Sequence, residues 1–551
     1  MNEAVAAPAS RRSSTTQVIG ASALGTLFEW YDFFLYGSLA GFIASHFFSG
    51  VNEPTSFIFA LATFAVGFIV RPAGALIFGR IGDLAGRKNT FLVTLTLMGV
   101  STVLVGVLPG YESIGVAAPV ILVALRIVQG LAIGGEFGGA IIYVAEHAPE
   151  AKRGLHTSFI PATAMGGLLL SLVVIMLTRA AMTPAAFADW GWRIPYLLSV
   201  ILLGISLWIR LRLHESPVFH RMKAEGALSA APLSETFLRW DNLKIVLIAL
   251  FGCVAGQAVL FYTSTFYAFY FLERMARVDG LTATILAGCA LVIGAPLVVL
   301  FGWLSDRIGR KPLMIGGVAL AALLYFPLFG ALLSAANPVL AAARESSPVV
   351  LRADSRECSL QFDPVGRRHF DSRSCDIVKT ILARAGVDYQ MLPAVTEGPA
   401  RLKIGSETLV APDPDALPEA QRSAAIAAFQ ARAHTVLAAA GYHAEADPAA
   451  IDQPRVIAIL LSLLAIAAMC TGAYGSMLAE LFPARIRYSA VSFPQNFGNG
   501  WLGGLLPASA FAIVAATGNI YAGLWYPVII AAICFVVGVC ALPETRGRPI
   551  R

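Results

Sequence analysis

Long apolar runs recur along this chain, and they constrain its fold more than any other feature. A helix needs about 20 apolar residues to cross a bilayer. Only 13% of the 551 residues are charged and 57% are hydrophobic, unlike the composition of soluble domains. The chain is therefore predicted to be an integral membrane protein. The runs lie near 17–46, 56–79, 89–109, 116–145, 156–179, 191–210, 244–272, 281–303, 312–334, 454–476, 489–514 and 520–542.

Twelve spans place both termini on the same side of the membrane. Basic residues cluster in alternate connections, which indicates that these connections and both termini are cytoplasmic. The first run is too long and too charged for a cleavable signal peptide. No nucleic-acid partner is expected from the net charge of +6, because the basic residues form no continuous face. The clusters are Arg11 and Arg12, Arg80 with Arg87 and Lys88, Lys152 with Arg153, Arg307 with Arg310 and Lys311, and Arg485 with Arg487.

The two halves of the chain share repeated motifs. GRIGDLAGRK (79–88) recurs as GWLSDRIGRK (302–311), an offset of 223 residues, whereas AEHAPEAKRG and AELFPARIRY are 334 residues apart. The offsets differ by 111 residues, which indicates an insertion in the second half. The predicted organisation is a tail at 1–16, a six-helix bundle at 17–212, a cytoplasmic linker at 213–243, helices 7–9 at 244–334, an inserted domain at 335–453, and helices 10–12 with a short tail at 454–551.

The insertion is rich in charge, Pro and Gly and contains no run that spans a membrane. PVVLRAD (348–354) and RLKIGSETLV (401–410) predict strands, and two segments that stop at Gly386 and Gly441 predict helices. Because the insertion follows the ninth run, it is predicted to be a small α+β domain outside the cytoplasm. Its role stays open between holding substrate, docking a periplasmic partner and stabilising the outer face.

Cysteine placement agrees with that location. Cys358 and Cys375 lie in the insertion, and the other five cysteines lie in apolar runs. An oxidising compartment favours a disulfide between the two, which contributes about 3 kcal/mol to a domain with little core. The alternative is a pair of unpaired thiols.

Two carboxylates, Glu29 and Asp32, lie within the first apolar run, in the stretch GTLFEWYDFFLYG. A charge near the bilayer centre costs at least about 2.5–3.5 kcal/mol and therefore indicates a partner or a function. The rise of a helix places Asp32 near the midplane with Arg126 within reach, and Glu136 slightly further in. A carboxylate beside an arginine there can couple to protons. The alternative is a permanent ion pair that fixes the first span to the fourth.

Other polar and aromatic residues in the runs are candidates for contact with a substrate. The intramembrane arginines favour an anion, since a guanidinium neutralises a carboxylate. Aromatic residues in a span more often serve packing, and this alternative stays open for each. The candidates are Tyr36, Arg71, Gln129, Gln257, Tyr262, Phe266, Asn496 and Asn499.

Soluble-enzyme motifs are absent or incomplete in the sequence. GDLAGRKNT has three residues between its glycines where a phosphate-binding loop needs four. No His-Glu-x-x-His or paired Cys-x-x-Cys spacing indicates a metal. The chain is therefore predicted not to be an enzyme and to need no cofactor or metal. An ion gradient is expected to drive any pumping.

The motifs resemble those of a known family. GRIGDLAGRK with GWLSDRIGRK is similar to the loop signature of the major facilitator superfamily, and RIVQG (126–130) resembles its fourth-span arginine motif. FEWYDFFLYG, GGEFGGA and FPARIRY resemble the metabolite:proton symporter branch. The insertion departs from that branch, which normally has a short connection there.

The resemblance implies an all-α membrane protein with twelve transmembrane helices in two six-helix bundles, the major facilitator fold. It implies alternating access in the bacterial inner membrane, with the cytoplasmic face latched by Asp83, Arg87, Asp306 and Arg310. The predicted activity is proton-coupled uptake of a small organic acid, a mono-, di- or tricarboxylate. Alternatives are symport of a zwitterion such as proline or betaine, export, and a membrane receptor that uses the external domain.

Overall fold

The computed structural model describes residues 15–49, 53–211, 215–354, 356, 358–359, 371–385, 387–394, 398–443 and 445–550. The predicted tail at 1–16 falls almost wholly outside these residues, as do Arg11, Arg12 and the helix stop at Gly386. The predictions made for them stay predictions.

The first half of the chain forms six long helices. A helix satisfies its own backbone hydrogen bonds, which is what an apolar segment needs in a bilayer. The second helix breaks at Val70, and Pro72 lies in the first turn that follows, where its missing N–H costs nothing. The helices are α1 Thr15–Ser38, α2 Glu53–Ile69 continued by Arg71–Ala85, α3 Arg87–Val107, α4 Ala117–His147, α5 Arg153–Ala180 and α6 Ile194–Leu211.

The second half repeats this pattern after a linker with two short helices, Pro217–Ala224 and Pro232–Phe237. Its seventh helix contains three π-helical segments, and its eleventh contains one. The helices are α7 Trp240–Met275, α8 Gly280–Ile308, α9 Arg310–Ala336, α10 Gln453–Leu481, α11 Arg487–Val514 and α12 Trp525–Ala541.

Eleven helices among the described residues are long and apolar enough to cross a membrane. They correspond to α2 through α12, so the chain is a multi-pass membrane protein. The remaining long helix, α1, carries Glu29 and Asp32 and is not among the eleven. The twelfth span predicted from the sequence therefore stays a prediction.

The repeat found in the sequence has a structural counterpart at two equivalent turns. Gly86 and Gly309 precede α3 and α9 with φ of 106° and 105°, a conformation that glycine adopts without strain. A Cβ at Gly86 would lie 2.3 Å from Oε2 of Glu215, and one at Gly309 would lie 2.5 Å from Oε2 of Glu544. The two halves thus use the same device, a glycine turn closed by a carboxylate from the end of the half.

The insertion folds as a four-stranded sheet with helices. The strands are β1 Val349–Arg352, β2 Gln390–Leu392, β3 Arg401–Ile404 and β4 Glu407–Val410, in the spatial order β2-β1-β3-β4. β1 pairs with β2 in parallel and with β3 antiparallel, and β3 pairs with β4 antiparallel. The strands predicted at 348–354 and 401–410 are confirmed. Sequence reasoning missed β2, which has only three residues.

Helices Ser374–Arg384 and Glu419–Ala439 accompany the sheet. The stop predicted at Gly441 has a φ of 93°, as expected after a helix. Cys358 and Cys375 form a disulfide with their Cα atoms 5.4 Å apart. The bond ties the segment after β1 to the first turn of the Ser374–Arg384 helix.

Small residues let α2 and α4 approach closely within the first half. A Cβ at Gly130 would lie 2.4 Å from the carbonyl oxygen of Gly67, and one at Gly134 would lie 2.4 Å from that of Arg71. Small-residue spacing of this kind is a common basis of helix packing in membranes. The contact fixes the position of Arg71 against α4.

Candidate functional site

A small cavity lies where the two halves of the chain meet. Helices of both halves line it, namely α1, α2, α4 and α5 from the first and α7, α10 and α11 from the second. Its volume is about 20 Å³, close to the space that one water needs. In this conformation the helices are therefore closed around the cavity. The polar and aromatic lining residues are Trp30, Arg71, Gln257, Thr471, Tyr474, Gln495, Asn496 and Asn499.

Arg71 is the cation of this lining. The break at Val70 starts a new helical segment at Arg71, whose side chain is only 2% exposed. Its guanidinium carbon lies 5.0–5.3 Å from the ring centres of Trp30, Phe33 and Phe68, which hold it by cation–π contacts. Its Nε and Nη2 have no hydrogen-bond partner among the described residues. A buried guanidinium with open donors is suited to a carboxylate.

Side-chain amides form the opposite wall of the cavity. Nδ2 of Asn499 donates to Oε1 of Gln257 at 3.3 Å, and Nε2 of Gln495 donates to the hydroxyl of Tyr474 at 3.4 Å. The π-helical segment Gly498–Gly503 begins beside these residues, and such segments are frequent at functional sites. Oε1 of Gln495 has no donor within the described part of the chain. This wall therefore offers neutral hydrogen-bonding groups.

The structure divides the substrate-contact residues predicted from the sequence into two groups. Arg71, Gln257, Asn496 and Asn499 line the cavity. The amide of Asn496 is already used, since it donates to the carbonyl oxygens of Gly134 at 2.7 Å and Ser492 at 2.8 Å. The residues found away from the lining are Tyr36, Gln129, Tyr262 and Phe266.

Three of those four residues have packing or relay contacts instead, whereas Tyr262 interacts with the Arg71 guanidinium. The hydroxyl of Tyr36 donates to the carbonyl of Ala60, and Phe266 stacks on Tyr262 with ring centres 5.5 Å apart. Sequence reasoning missed Trp30, Thr471 and Tyr474 as lining residues. Trp30 directly follows Glu29, but nothing in the spacing distinguished it from the other aromatic residues of α1.

Asp32 lies beside α6 rather than beside an arginine. Its carboxylate is buried and accepts a hydrogen bond from the hydroxyl of Ser199 at 2.5 Å. The hydroxyl of Thr102 on α3 also interacts with this carboxylate. Two neutral donors thus stabilise Asp32, each of which can also adapt to a protonated acid.

Arg126 does not form the predicted direct pair with Asp32. Its Nη1 donates to Oε1 of Gln129 at 2.6 Å, and its guanidinium carbon lies 3.7 Å from the ring centre of Tyr36. The rise per residue of a helix predicted how deep Arg126 lies in the bundle. Its side chain, however, is bound by Gln129, which lies one turn further along α4. Nε2 of Gln129 in turn donates to the hydroxyl of Thr102 at 2.9 Å. Gln129 and Thr102 therefore link Arg126 to Asp32 by hydrogen bonds.

A second buried charge cluster lies on the neighbouring helices. Glu136 forms an ion pair with Arg210 at the end of α6, and both side chains are buried. Sequence reasoning missed Arg210, which stands at the last position of the sixth apolar run. A Cβ at Gly25 would overlap the Arg210 guanidinium, so the glycine makes room for it. Both carboxylate oxygens of Glu29 lack hydrogen-bond donors among the described residues.

The helix ends beside the basic connections of the first half contact those of the second half. We call this side the basic face and the opposite side the outer face. Asp83 of α2 accepts hydrogen bonds from the backbone N–H groups of Tyr488 at 3.1 Å and Ser489 at 2.9 Å, at the start of α11. Asp306 of α8 accepts bonds at 2.8 Å from the N–H groups of Gly154 and Leu155, at the start of α5. Each aspartate therefore caps a helix N-terminus in the other half, where a negative charge is favoured.

Arginines complete these contacts. Nη2 of Arg87 lies 3.7 Å from Asp83 and donates to the carbonyl of Ala484 in the second half at 3.0 Å. Nη2 of Arg310 lies 2.9 Å from Asp306 and 3.2 Å from Glu480. The four residues of the predicted latch thus all lie at the contact between the halves on the basic face.

Two further arginine–carboxylate pairs cross the same contact. Arg487 pairs with Glu146 at 2.9 Å, and Arg153 pairs with Glu480 at 2.7 Å. Sequence reasoning used Arg153 and Arg487 only as markers of the cytoplasmic side and assigned none of the four residues to the contact between the halves, although the repeated stretches AEHAPEAKRG and AELFPARIRY contain all of them. The repeat itself was the signal that could have found them.

Known proteins are similar to this chain in sequence and in fold. The family model for "Sugar (and other) transporter" matches residues 18–236. The chain is 35% identical over 323 residues to the alpha-ketoglutarate permease of Escherichia coli, which covers 58% of this chain and 72% of the relative. It is 37% identical over 314 residues to the shikimate transporter of Escherichia coli, which covers 56% and 70%.

A putative proline/betaine transporter of Staphylococcus haemolyticus is 34% identical over 316 residues, with coverage of 57% of this chain and 67% of the relative. Among solved structures, the proton:xylose symporter XylE of the major facilitator superfamily, bound to 6-bromo-6-deoxy-D-glucose, superposes with a TM-score of 0.64. It is 15% identical and covers 97% of each chain. At this identity the likeness concerns the fold.

Proposed function

This chain belongs to the sugar (and other) transporter family of the major facilitator superfamily, a family of membrane transporters and not of enzymes, and we propose that it carries a small organic acid into the cell together with protons. Its relatives include metabolite transporters named for alpha-ketoglutarate and for shikimate, both of which are organic acids. These relatives show the family of this chain, and we propose that its substrate is likewise an organic acid.

The open guanidinium of Arg71 carries this proposal. Tyr262 and Glu29 interact with the Arg71 guanidinium, but leaving buried donors of a charged group unused is costly, and the cost is recovered when a ligand supplies acceptors of opposite charge. A substrate carboxylate would bind the free Nε and Nη2 of Arg71, while the amides of Gln257 and Asn499 bind its other polar groups. The charge of this lining therefore matches an organic acid better than a neutral sugar, and the cavity must widen to admit either.

We propose that α1 is the twelfth span and that both termini are cytoplasmic. Its two carboxylates lower its hydropathy, which accounts for its absence from the eleven apolar helices. The basic face is then cytoplasmic and the insertion periplasmic, in the domain boundaries predicted from the sequence. The relative named inner membrane metabolite transport protein YhjE supports an inner-membrane location.

Proton coupling is assigned to the buried carboxylates. Asp32 takes up a proton while Ser199 and Thr102 remain its hydrogen-bond partners, and Arg126 favours release of that proton through Gln129 and Thr102. The Thr102 hydroxyl has one proton, which it donates to the carbonyl of Met98 or to Asp32. The pair Glu136–Arg210, with Glu29 beside it, is a second place where a proton alters the charge balance.

The contacts between the halves support transport by alternating access. The pairs on the basic face close the cytoplasmic side, so substrate and proton enter from the outer face. Opening to the cytoplasm requires these cross-half pairs to separate together, which links the two gates. Asp83, Arg87, Asp306 and Arg310 are the proposed latch.

Uptake by proteoliposomes under an imposed inward proton gradient tests the function. The panel contains mono-, di- and tricarboxylates, proline and betaine, each with and without a protonophore. Accumulation of one acid that the protonophore abolishes is the expected result. Accumulation of proline or betaine alone would favour the zwitterion alternative, which the likeness to putative proline/betaine transporters supports. Uptake of no compound would overturn the proposal and leave export or a receptor role.

A further inference from the structure

The insertion contacts the second half of the transporter at three places. All hydrogen bonds found between the insertion and the membrane helices or their loops, within the described residues, go to this half. The first place is the connection between α7 and α8 at Arg277, the second is the end of α9, and the third is the connection between α11 and α12 at Gly518 and Tyr521. The insertion therefore bridges outer loops of one half.

Arg277 is the centre of the first contact. It is a non-glycine residue with a φ of 59°, and its side chain is only 7% exposed. Its guanidinium donates to the carbonyl oxygens of Ala385 and His443. Ala385 directly follows the Ser374–Arg384 helix, and His443 follows the Glu419–Ala439 helix. One cation thus binds the carbonyl directly after one insertion helix, where positive charge is favoured, and a carbonyl of the loop after the other.

The backbone of Arg277 is held as well. The N–H of Ala446 in the insertion donates to the Arg277 carbonyl at 2.9 Å. A left-handed conformation at a residue with a side chain costs free energy and persists only when its surroundings fix it. Contacts from both the main chain and the side chain of Arg277 fix it here.

The α11–α12 connection is held by a separate set of contacts. The N–H of Tyr389 donates to the carbonyl of Gly518 at 2.9 Å. Arg344 donates to both carboxylate oxygens of Asp388 at 2.7 and 2.5 Å, and to the hydroxyl of Tyr521 at 3.1 Å. The ring of Tyr521 stacks on Phe271 with centres 6.0 Å apart. This second set therefore also ends on α7.

The outer end of α7 is π-helical. Its last π-helical segment is Phe271–Met275, which ends two residues before Arg277, and Ala276 N–H closes the turn on the carbonyl of Phe271 at 2.8 Å. A π-helical turn is rare and needs tertiary support. The same helix supplies Gln257 and Phe261 to the central cavity, so the outer contacts and the cavity are joined by one helix.

We propose that the insertion is a clamp that holds the outer end of α7 in its π-helical form, and that Arg277 is the residue through which it acts. Arg277 is a positioning residue, because it touches the insertion and not the cavity. The clamp keeps α7 and the α11–α12 connection together, so that the second half moves as one body when the cavity opens. This inference does not depend on which substrate is carried.

Hydrogen exchange of the α7 amides in the purified full-length protein tests the clamp. The variants are R277Q, R277K and the matched control R274Q, whose side chain is exposed in the same segment. We expect R277Q to speed exchange over 271–278 by about tenfold, because local opening there no longer breaks the two carbonyl bonds. R277K keeps the charge but lacks the planar fork, so an intermediate rate is expected. R274Q should match the parent protein.

A second variant covers the case in which R277Q does not fold. R344Q removes the contacts to Asp388 and Tyr521 and should speed exchange over the same amides without touching Arg277. Unchanged exchange at 271–278 in both R344Q and whichever Arg277 variant folds would overturn the proposal. Where transport is measurable, the maximal rate should fall in R277Q while KM changes little, and R277K should restore part of it. Absence of transport in the parent protein would contradict the proposed function and leave the exchange result standing.

Discussion

Arg487 of the second half pairs with Glu146 of the first half at 2.9 Å, and both side chains are buried. The repeat supplies the matching pair in the opposite direction, Arg153 with Glu480 at 2.7 Å. Within each repeated stretch the glutamate therefore binds the arginine of the other copy. Two crossed ion pairs, each made by both copies of the repeated stretch, therefore join the halves on the basic face.

Removal of one crossed pair should open the basic face. Replacing Arg487 with Gln leaves the buried Glu146 with one fewer cation, a change that costs about 3–5 kcal/mol when a buried pair is broken. A cysteine placed at Thr471 in the cavity, in a background without the native free cysteines, should then react about tenfold faster with a maleimide from the basic side.

Arg485, which pairs with Glu235, provides the matched control for this change. The Arg485 side chain is 50% exposed and lies 2.6 Å from Glu235, which also pairs with Arg239. A half-exposed arginine whose partner keeps a second cation contributes little, so Arg485→Gln should change the labelling rate far less than Arg487→Gln does. Equal labelling of the Arg487 and Arg485 variants would show that the crossed pair does not hold the gate.

Asp32→Asn should abolish accumulation against a gradient while exchange across the membrane continues. The carboxamide oxygen still accepts the bond from Ser199, but the side chain no longer takes up and releases a proton. Counterflow and protonophore-sensitive uptake, measured on the same proteoliposomes, separate the two activities. Ser199→Ala is the companion variant, and it should retain some uphill transport because Asp32 remains. Full accumulation by the Asn variant would exclude Asp32 as the coupling residue.

Much of the fold was predictable, because membrane helices and internal repeats leave strong patterns. The motifs at 79–88 and 302–311 gave the repeat, and the offset of the second motif pair located the insertion between α9 and α10. Two helices and three strands of the insertion followed from local patterns, whereas the short β2 and the helix Pro338–Ser346 did not. These features depend on residues that are near one another in sequence.

The charge network was harder to predict, since it depends on how each helix is rotated about its axis. The rise per residue placed Asp32 and Arg126 at similar depth, yet Gln129 binds Arg126 and Ser199 binds Asp32. Arg210 stands at the end of its apolar run and gave no signal that it folds back onto Glu136. The sequence indicates how deep a residue lies in the bilayer, but it does not indicate the direction in which its side chain points around the helix axis.

Arg71 should determine the affinity for the acid. Its replacement by Gln removes a charged hydrogen-bond donor, which contributes roughly 1.5–3 kcal/mol, so KM should rise by about tenfold to a hundredfold. Arg71→Lys, which keeps the charge but lacks the planar guanidinium, should raise KM by less. Arg179→Gln is the control, since that arginine is exposed in the same half. An unchanged KM in Arg71→Gln would remove Arg71 from the binding site.

The number of cations that line the cavity predicts which organic acids bind best. Arg71 is the one cation among the described residues that line it, so a second carboxylate would be buried without a partner. In competition with the transported acid, shikimate with one carboxylate should inhibit uptake at lower concentration than citrate with three. The reverse order would mean that Arg126 or another cation reaches the substrate in a different conformation.

Glu544 should contribute to stability in a pH-dependent manner. Its carboxylate accepts the backbone N–H of Arg310 at 3.0 Å and of Lys311 at 3.1 Å, at the start of α9. Partial burial alone would raise the pKa of Glu544, but the backbone N–H groups of Arg546, Arg310, Lys311 and Thr545 outweigh it and hold the pKa below its ordinary value of 4.5.

A carboxyl whose pKa is lower in the folded state stabilises the protein above its unfolded pKa, and this contribution disappears as the pH falls through the folded value. The melting temperature of the parent protein should therefore exceed that of Glu544→Gln at neutral pH, and the difference should shrink as the pH falls below about 4.5. Thermal unfolding in detergent, followed by tryptophan fluorescence, measures this difference. Glu407→Gln, on the exposed strand β4, should show no such trend. A difference that stays constant down to the lowest pH would mean that the Glu544 charge has no part in closing the turn at Gly309.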